Sequence, residues 1–110
     1  MSQFRRLLPS ANSLVVFEAA GRHENFTRAA EELGMSQAAV SYAVRALEEQ
    51  LGVTLFQRMH RSARLTEAGE RFHADVVAGL SRIERSAEDI RAKGREVNVT
   101  LAASTAFASM

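Results

Sequence analysis

Apolar residues near the start of the chain recur every three residues, a spacing that is typical of a helix with one buried face. Leu14, Phe17 and Ala20 form this series, and a polar stretch follows it. The pattern predicts a helix from Ser10, which is a suitable N-cap, to about Arg22. The residues before Ser10 are predicted to form a short arm.

A short second helix is predicted between Thr27, a good N-cap, and Gly34. Its apolar residues Ala29, Ala30 and Leu33 lie on one narrow stripe. Glycine adopts the left-handed backbone conformation after a helix more easily than other residues, so Gly34 is expected to stop this helix.

The third predicted helix, Gln37 to Leu51, begins after Ser36 as its N-cap, and Gly52 ends it. At about 100° per residue, its apolar side chains fall on one stripe, formed by Val40, Val44, Leu47 and Leu51. Small, polar and singly basic residues occupy the other side: Gln37, Ala38, Ser41, Tyr42 and Arg45. One face is therefore predicted to pack in the core and the other to face solvent.

After Gly52 the spacing of apolar positions changes from helical to alternating. Val53 and Leu55 alternate with polar residues, residues 59–63 have the composition of a turn, and Arg64–Leu65 resumes the alternation. This pattern predicts a two-stranded hairpin, although no Asn-Gly or Asp-Gly pair marks its turn.

A long fourth helix is predicted from Thr66 to about Lys93, because a capping threonine is followed by acids in the first turn. Its apolar residues recur at steps of three or four and form one stripe: Ala68, Phe72, Val76, Leu80, Ile83, Ala87 and Ile90. A single seam of this length normally faces another helix, so it predicts a homodimer. The alternative is that the helix folds back on the preceding helices.

The last residues are predicted to differ from the long helix. Gly94 is expected to end it, and residues 97–101 alternate like a strand that has no partner in the chain. We therefore predict three helices and a hairpin over 1–65, a dimerisation helix over 66–93, and over 94–110 the start of a further domain that continues beyond this sequence.

The overall composition indicates little about function, whereas the distribution of charge indicates more. Hydrophobic residues make up 46% of the chain and charged residues 25%, and the formal net charge is only +1. All but one of the fourteen basic residues are arginine, whose rigid fork of donors suits phosphates and guanine edges. Residues 54–64 contain three arginines and no acid.

Several function classes are disfavoured. The absence of cysteine excludes disulfides and thiolate chemistry and fits a cytoplasmic protein. No apolar run has membrane-spanning length, and no signal-peptide core is present. The three histidines lack metal-ligand spacing, and no phosphate loop or nucleophile motif occurs. We expect no enzyme, no cofactor, no metal and no membrane partner.

The second and third helices, joined by a turn that contains Gly34, predict a helix-turn-helix whose second helix can lie in a DNA major groove. Gln37 can pair with an adenine edge, Ala38 can contact a thymine methyl group, and Ser41 can donate or accept a hydrogen bond. Arg45 can reach a guanine or a phosphate. The predicted base-reading residues are Gln37, Ala38, Ser41, Tyr42 and Arg45.

Phosphate contacts are predicted from the helix starts and from the basic hairpin, because backbone amides and arginines attract anions. The candidates are Thr27, Arg28, Ser36, Arg58, Arg61 and Arg64. Three alternatives remain. The exposed helix face can be an ordinary solvated one, the hairpin can bind an acidic protein, and Arg58 can be structural, pairing with an acid of the helical core.

Five blocks in the chain resemble, in the right order, the LysR-type transcriptional regulators. They are Phe26–Leu33, Ser36–Ser41, Leu47–Val53, Leu55–Arg58 and Leu65–Gly69. Together with Leu8–Pro9 and Phe17–Ala20, they look most like the branch of the glycine-cleavage activator and the β-lactamase regulator. The resemblance covers about residues 8–94.

This resemblance implies a winged helix-turn-helix, a homodimer through the linker helix that usually assembles into tetramers, and partly palindromic promoter DNA as the partner. It also implies that a C-terminal domain, largely absent from this chain, binds a small-molecule inducer. The chain departs from the family at two positions: many members have proline in place of Ala38, and His or Arg is frequent in place of Tyr42.

Overall fold

The computed structural model describes residues 2–108, with side chains from residue 2 to residue 98. This part of the chain is mainly helical and contains one antiparallel hairpin. In chain order the elements are α1 (Gln3–Leu7), α2 (Ala11–His23), α3 (Phe26–Leu33), α4 (Gln37–Leu51), β1 (Phe56–Met59), β2 (Ser62–Leu65) and α5 (Glu67–Ala108). Among the described residues, those up to Val77 form one compact unit and those from Ala78 onward form a second.

The predicted N-terminal arm contains a short helix instead. Ser2 caps α1, since its side-chain oxygen accepts a hydrogen bond from the amide of Arg5 at 3.3 Å. The cap supplies a local hydrogen bond that helps a five-residue helix to form, and the hydrophobic spacing of so short a segment does not reveal it.

Helix α2 follows the prediction, because Ser10 accepts a hydrogen bond from the amide of Ser13 at 3.1 Å and caps it. The expected cap of α3 is wrong. Asn25, not Thr27, accepts the capping bond, from the amide of Arg28 at 3.0 Å. Both residue types can cap a helix. Glu24 ends α2 in the left-handed conformation, so Asn25, which follows it directly, is the residue that caps α3.

Helix α4 has the predicted bounds. The Ser36 side chain accepts from the amide of Ala39 at 3.1 Å, and Gly52 ends the helix with φ of 70°. Its inner stripe is buried at Val40, Val44 and Leu47. The predicted stripe also included its last residue, which is exposed because it lies at the rim of the core.

The hairpin is confirmed, but its strands begin later and its turn is tighter than the alternation predicted. Phe56 pairs with Leu65 and Met59 with Ser62, which leaves only His60 and Arg61 between the strands. Arg61 has a positive φ of 66°. A two-residue turn needs this type of backbone at its centre, and glycine or asparagine is the usual solution.

The core of the first unit is built around Phe17. Its ring lies 5.7 Å from that of Phe56 and 5.3 Å from that of Phe72. Phe26 completes the cluster, edge-on to Phe56 at 5.2 Å. Edge-to-face aromatic pairs of this kind favour one arrangement beyond simple burial. The cluster joins α2, α3, β1 and the first turns of α5.

The start of α5 is fixed against the segment that leads into the hairpin. Thr66 caps the helix by accepting from the amide of Gly69 at 3.0 Å, and its hydroxyl donates to the carbonyl of Thr54 at 2.7 Å. A Cβ at Gly69 would collide with the backbone carbonyl oxygen of Leu55. Glycine is therefore required where the helix and this segment meet.

Two side chains predicted for the dimer seam belong to the core of the single chain. Val76 is only 6% exposed, and Phe72 packs on Phe17. Two of the remaining seam residues are exposed, Ile83 at 67% and Ile90 at 70%, while Leu80 and Ala87 are half-buried. The apolar stripe of α5 is therefore divided, because its first turns are covered within the chain.

The predicted helix end and strand after residue 93 are wrong. Helix α5 continues through Gly94 and through residues 97–101 to Ala108. A lone strand would leave its backbone groups without partners, whereas a helix satisfies them internally. The assignment of residues 94–110 to a further domain stays a prediction. Within the described residues, no helix has both the length and the apolar character that crossing a membrane requires.

Candidate nucleic-acid interface

The outer face of α4 presents four of the five predicted base-reading residues to solvent. Gln37, Ala38, Tyr42 and Arg45 are exposed, and Tyr42 retains 77% of its accessible surface. Ser41 lies beside them and is half-buried. No acid lies in the first three turns of this helix, so an anion can approach the face without charge repulsion.

A cleft of about 190 Å³ separates this face from the hairpin. It brings together four predicted site residues from three elements, together with Arg58 at its wall. The four are Thr27, Gln37, Ser41 and Arg61. Arg28, Ser36, Arg45 and Arg64 lie outside its lining. The polar side chains of the cleft offer hydrogen bonds from the helix-turn-helix and the hairpin to one ligand.

Arg58 is turned towards α4. Its guanidinium donates to the hydroxyl of Ser41 at 3.2 Å and lies 3.5 Å from a carboxylate oxygen of Glu48. The same group stands over the ring of Phe26, 5.2 Å from its centroid. The geometry favours the alternative in which Arg58 is structural, since its charge is already paired within the chain.

Glu48 anchors the hairpin and was not among the predicted site residues. Its second carboxylate oxygen accepts from the amides of Leu55 at 2.8 Å and Phe56 at 3.2 Å. Both amides lie at the entrance to β1. The sequence carries a signal for this role, because Glu48 follows Val44 by four residues and so borders the buried stripe of α4.

The turn between α2 and α3 holds the other strand. The backbone carbonyl of Glu24 accepts from the amide of Ala63 at 3.1 Å, and its carboxylate accepts from the amide of Leu65 at 3.0 Å. The Asn25 side chain donates to the carbonyl of Arg61 at 3.4 Å. The hairpin is thus fixed to the helix-turn-helix from both sides, which makes the cleft a preformed feature.

Four arginines around the interface have no ion-pair partner among residues 2–98: Arg28, Arg45, Arg61 and Arg64. All four are exposed.

The alternation of side chains along the strands explains why Arg58 is paired within the chain and Arg64 is not. Arg58 shares its side of the sheet with the buried Phe56, whereas Arg64 pairs across from Gln57 on the opposite side. Arg64 therefore points to solvent.

An exposed charge network fastens α3 to α2. The guanidinium of Arg22 bonds to Glu18 at 2.8 Å and to Glu32 at 2.6 Å, and His23 lies 2.8 Å from Glu32. Hydrogen bonds from Arg22 and His23 lower the pKa of Glu32 to about 2. The bonds of Arg22 to Glu32 and to Glu18 raise the pKa of Arg22 above its ordinary value.

His73 connects α5 to α2. Its ring nitrogen Nε2 lies 2.9 Å from the backbone carbonyl of Glu18, and the ring packs against Gly21 so closely that a Cβ there would approach it within 2.5 Å. Within the described residues, no group of three His, Asp or Glu side chains is placed to hold a metal ion. His23 and His73 therefore have structural surroundings, since each contacts a neighbouring helix.

Residues 11–70 match the model of the bacterial regulatory helix-turn-helix proteins of the lysR family. The chain belongs to this family. The match spans α2 to the start of α5 and includes both sides of the cleft. The predicted family and the predicted winged helix-turn-helix fold are thereby confirmed. The family is one of transcription regulators, so the chain is not an enzyme.

Individual relatives agree with the predicted branch. The glycine cleavage system transcriptional activator of Escherichia coli K12 is 42% identical over 101 residues, which is 92% of this chain and 33% of that protein. The transcriptional activator AmpR of Pseudomonas aeruginosa is 58% identical over 59 residues, 54% of this chain and 20% of that one. The chain thus spans a third or less of these relatives.

A solved structure of similar fold contains DNA. The crystal structure of the CbnR DBD–DNA complex has a TM-score of 0.71 and 35% sequence identity, covering 78% of this chain and 99% of that chain. The likeness extends over nearly the whole of the CbnR domain. The fold of the first unit therefore occurs, in that protein, in a complex with DNA.

Proposed function

We propose that this chain binds double-stranded promoter DNA as the DNA-binding part of a transcription regulator in the cytoplasm. The observation that carries the proposal is the acid-free outer face of α4, which stands beside a preformed cleft and among unpaired exposed arginines. Charge arranged in this way attracts a polyanion, and a helix of this exposure fits a major groove.

The outer face of α4 reads bases in this proposal. Gln37 pairs with an adenine edge, Ala38 and Tyr42 make apolar contacts, and Arg45 reaches a guanine or a phosphate. Phosphates are contacted from both flanks of the cleft, by Thr27, Arg28, Ser36, Arg61 and Arg64. Arg58 is omitted because its guanidinium is paired with Glu48.

The protein acts as a homodimer joined through the exposed part of the α5 stripe. That part runs from Leu80 to Ile90, where Ile83 and Ile90 are exposed and Leu80 and Ala87 are half-buried. Large apolar side chains that remain exposed at heptad spacing on one helix are typical of a helix–helix seam. A two-fold dimer would bind a partly palindromic site. Tetramers and an inducer-binding domain are proposed for a longer protein of this family.

Selection from a pool of random duplexes tests the proposal, because the selection itself reveals the preferred sequence. We expect a partly palindromic consensus that the chain binds at least about 1,000-fold more tightly than random DNA. Gln37→Ala should weaken binding to the consensus by about 1–3 kcal/mol and to random DNA very little. If no consensus emerges and poly-glutamate competes as well as DNA does, the chain binds acidic polymers and not promoters.

A further inference from the structure

The hydroxyl of Ser41 is the only predicted base-reading group of α4 whose hydrogen-bonding capacity is already partly used. Arg58 donates to its oxygen at 3.2 Å. A serine hydroxyl has one proton to donate and two lone pairs to accept. With one lone pair taken by a guanidinium, the proton has no acceptor among residues 2–98 and stays available to a ligand.

The positive charge of Arg58 also favours donation by the Ser41 hydroxyl. The guanidinium of Arg58 is permanently positive, and its contact with the Ser41 oxygen draws electron density from the hydroxyl. A hydroxyl in this position is a better donor and a poorer acceptor. An amino group that tried to donate to the same oxygen would also face the positive charge at short range.

The arrangement is rigid. Glu48 holds the guanidinium of Arg58 from one side, and the ring of Phe26 lies beneath it. Glu48 is itself held by the amides of Leu55 and Phe56. Two contacts therefore hold Arg58 against Ser41, and the backbone amides hold the carboxylate that makes one of them.

Ser41 is also reachable. It lines the open cleft together with Arg61, one helical turn after Gln37. The side chains of residues four apart lie on the same face of a helix, so a DNA edge that meets Gln37 also meets Ser41. The hydroxyl therefore lies on the side from which DNA would approach.

We propose that Arg58 is a positioning residue that sets the polarity of Ser41, so that the hydroxyl donates to an acceptor on DNA and does not accept from a base amino group. The inference rests on the proposed function and narrows it. Acceptors at this site are purine N7, guanine O6, thymine O4 and phosphate oxygens. The amino groups of adenine and cytosine are excluded as partners.

Single-atom changes in the DNA test the proposal when each is combined with Ser41→Ala. The duplex is the consensus selected by the full 110-residue chain. One set of duplexes removes acceptors, with 7-deazapurines for N7 and O4- or O6-deleted bases. A second set carries one methylphosphonate at a time, and a third removes the amino group of one adenine or cytosine.

The expected result is one acceptor position per half-site where the DNA change weakens wild-type binding by about 3- to 10-fold but does not affect Ser41→Ala. Coupling in the first set identifies a base edge, and coupling in the methylphosphonate set identifies a phosphate. Coupling to an amino deletion, or to no position at all, overturns the proposal.

Two arginine variants isolate the role of Arg58. In Arg58→Gln the coupling between Ser41 and its acceptor should fall at least about 3-fold. Arg64→Gln removes the same charge from the outer side of the hairpin, so it should weaken binding without changing this coupling. If both variants change it equally, the effect is general charge and the positioning role fails. Thermal melting checks that both variants fold.

Failure of the proposed DNA-binding function would give a different experimental result. A wild-type chain that selects no consensus refutes DNA reading as a whole. A consensus that is bound well, but with no Ser41 coupling, refutes only the polarity of Ser41.

Discussion

Glu48 of α4 and Arg58 of β1 face each other at 3.5 Å, and this contact joins the outer helix of the helix-turn-helix to the hairpin. The glutamate also accepts from the amides of Leu55 and Phe56, and the arginine reaches Ser41. One carboxylate therefore fixes both the entrance to the hairpin and the direction of its first arginine.

Replacing this carboxylate should destabilise the first unit. Glu48→Ala leaves the amides of Leu55 and Phe56 without an acceptor and Arg58 without its ion pair. We expect a loss of about 2–4 kcal/mol in the free energy of unfolding, measured by urea denaturation. Glu49→Ala is the matched control, since Glu49 is exposed and should change stability by less than about 0.5 kcal/mol. Equal effects of the two variants would contradict the anchoring role.

The ion pairs of Glu32 should make stability depend on acid pH. The folded pKa of about 2 lies below the ordinary value of 4.5, so the unfolded chain takes up the proton first. The stabilisation is complete above 4.5 and is lost as the pH falls towards 2. The gap in thermal stability between wild type and Glu32→Gln should therefore shrink over this range. Glu31→Gln, at the neighbouring acid that has no ion pair among residues 2–98, should leave this gap unchanged.

Arg61 should contact a phosphate. A phosphate-bound arginine contributes about −0.9 to the slope of log K against log salt, and a dimer has two copies. Arg61→Ala should therefore flatten the slope by about 2 and leave site preference nearly unchanged. Arg58→Ala should leave the number of phosphate contacts, and therefore the slope, unchanged, because its guanidinium is paired within the chain. An unchanged slope for Arg61→Ala would place the hairpin turn away from DNA.

The exposed stripe of α5 should hold the dimer. Ile83→Glu places a carboxylate in the proposed seam, where burying an unpaired charge costs several kcal/mol, so the variant should be monomeric in sedimentation at micromolar concentration. Ile83 is 67% exposed in the single chain, so the monomer should keep its fold. Ala92→Glu, on the opposite side of the helix, should remain dimeric. A dimeric Ile83→Glu would show that the seam lies elsewhere.

Local chemistry made much of the fold predictable. Capping serines bind amides three residues ahead, and glycines end helices by adopting a backbone that other residues avoid, so Ser10, Ser36, Gly34 and Gly52 mark helix bounds correctly. These interactions involve only near neighbours in the chain. The blocks that resemble the LysR family are equally local, which is why the sequence alone predicts the family.

Local patterns failed where several solutions are equally good. Thr27 and Asn25 are both acceptable caps, and the left-handed turn before α3 selected Asn25. The alternation over residues 97–101 suits a strand only if a partner exists, and the described chain contains none. The helix continues there because it needs no partner.

The tertiary structure alone decided which side chains are free to act. Arg58, Arg61 and Arg64 look alike in the sequence. Successive side chains of a strand point to opposite sides of the sheet, so a shift of one residue in the strand register would move a strand arginine to the other side. The observed register points Arg58 towards Glu48 and Arg64 towards solvent. Likewise the α5 stripe is uniform in sequence, yet packing on Phe17 removes its first part from any seam. Both outcomes depend on contacts between residues far apart in the chain, which no local pattern encodes.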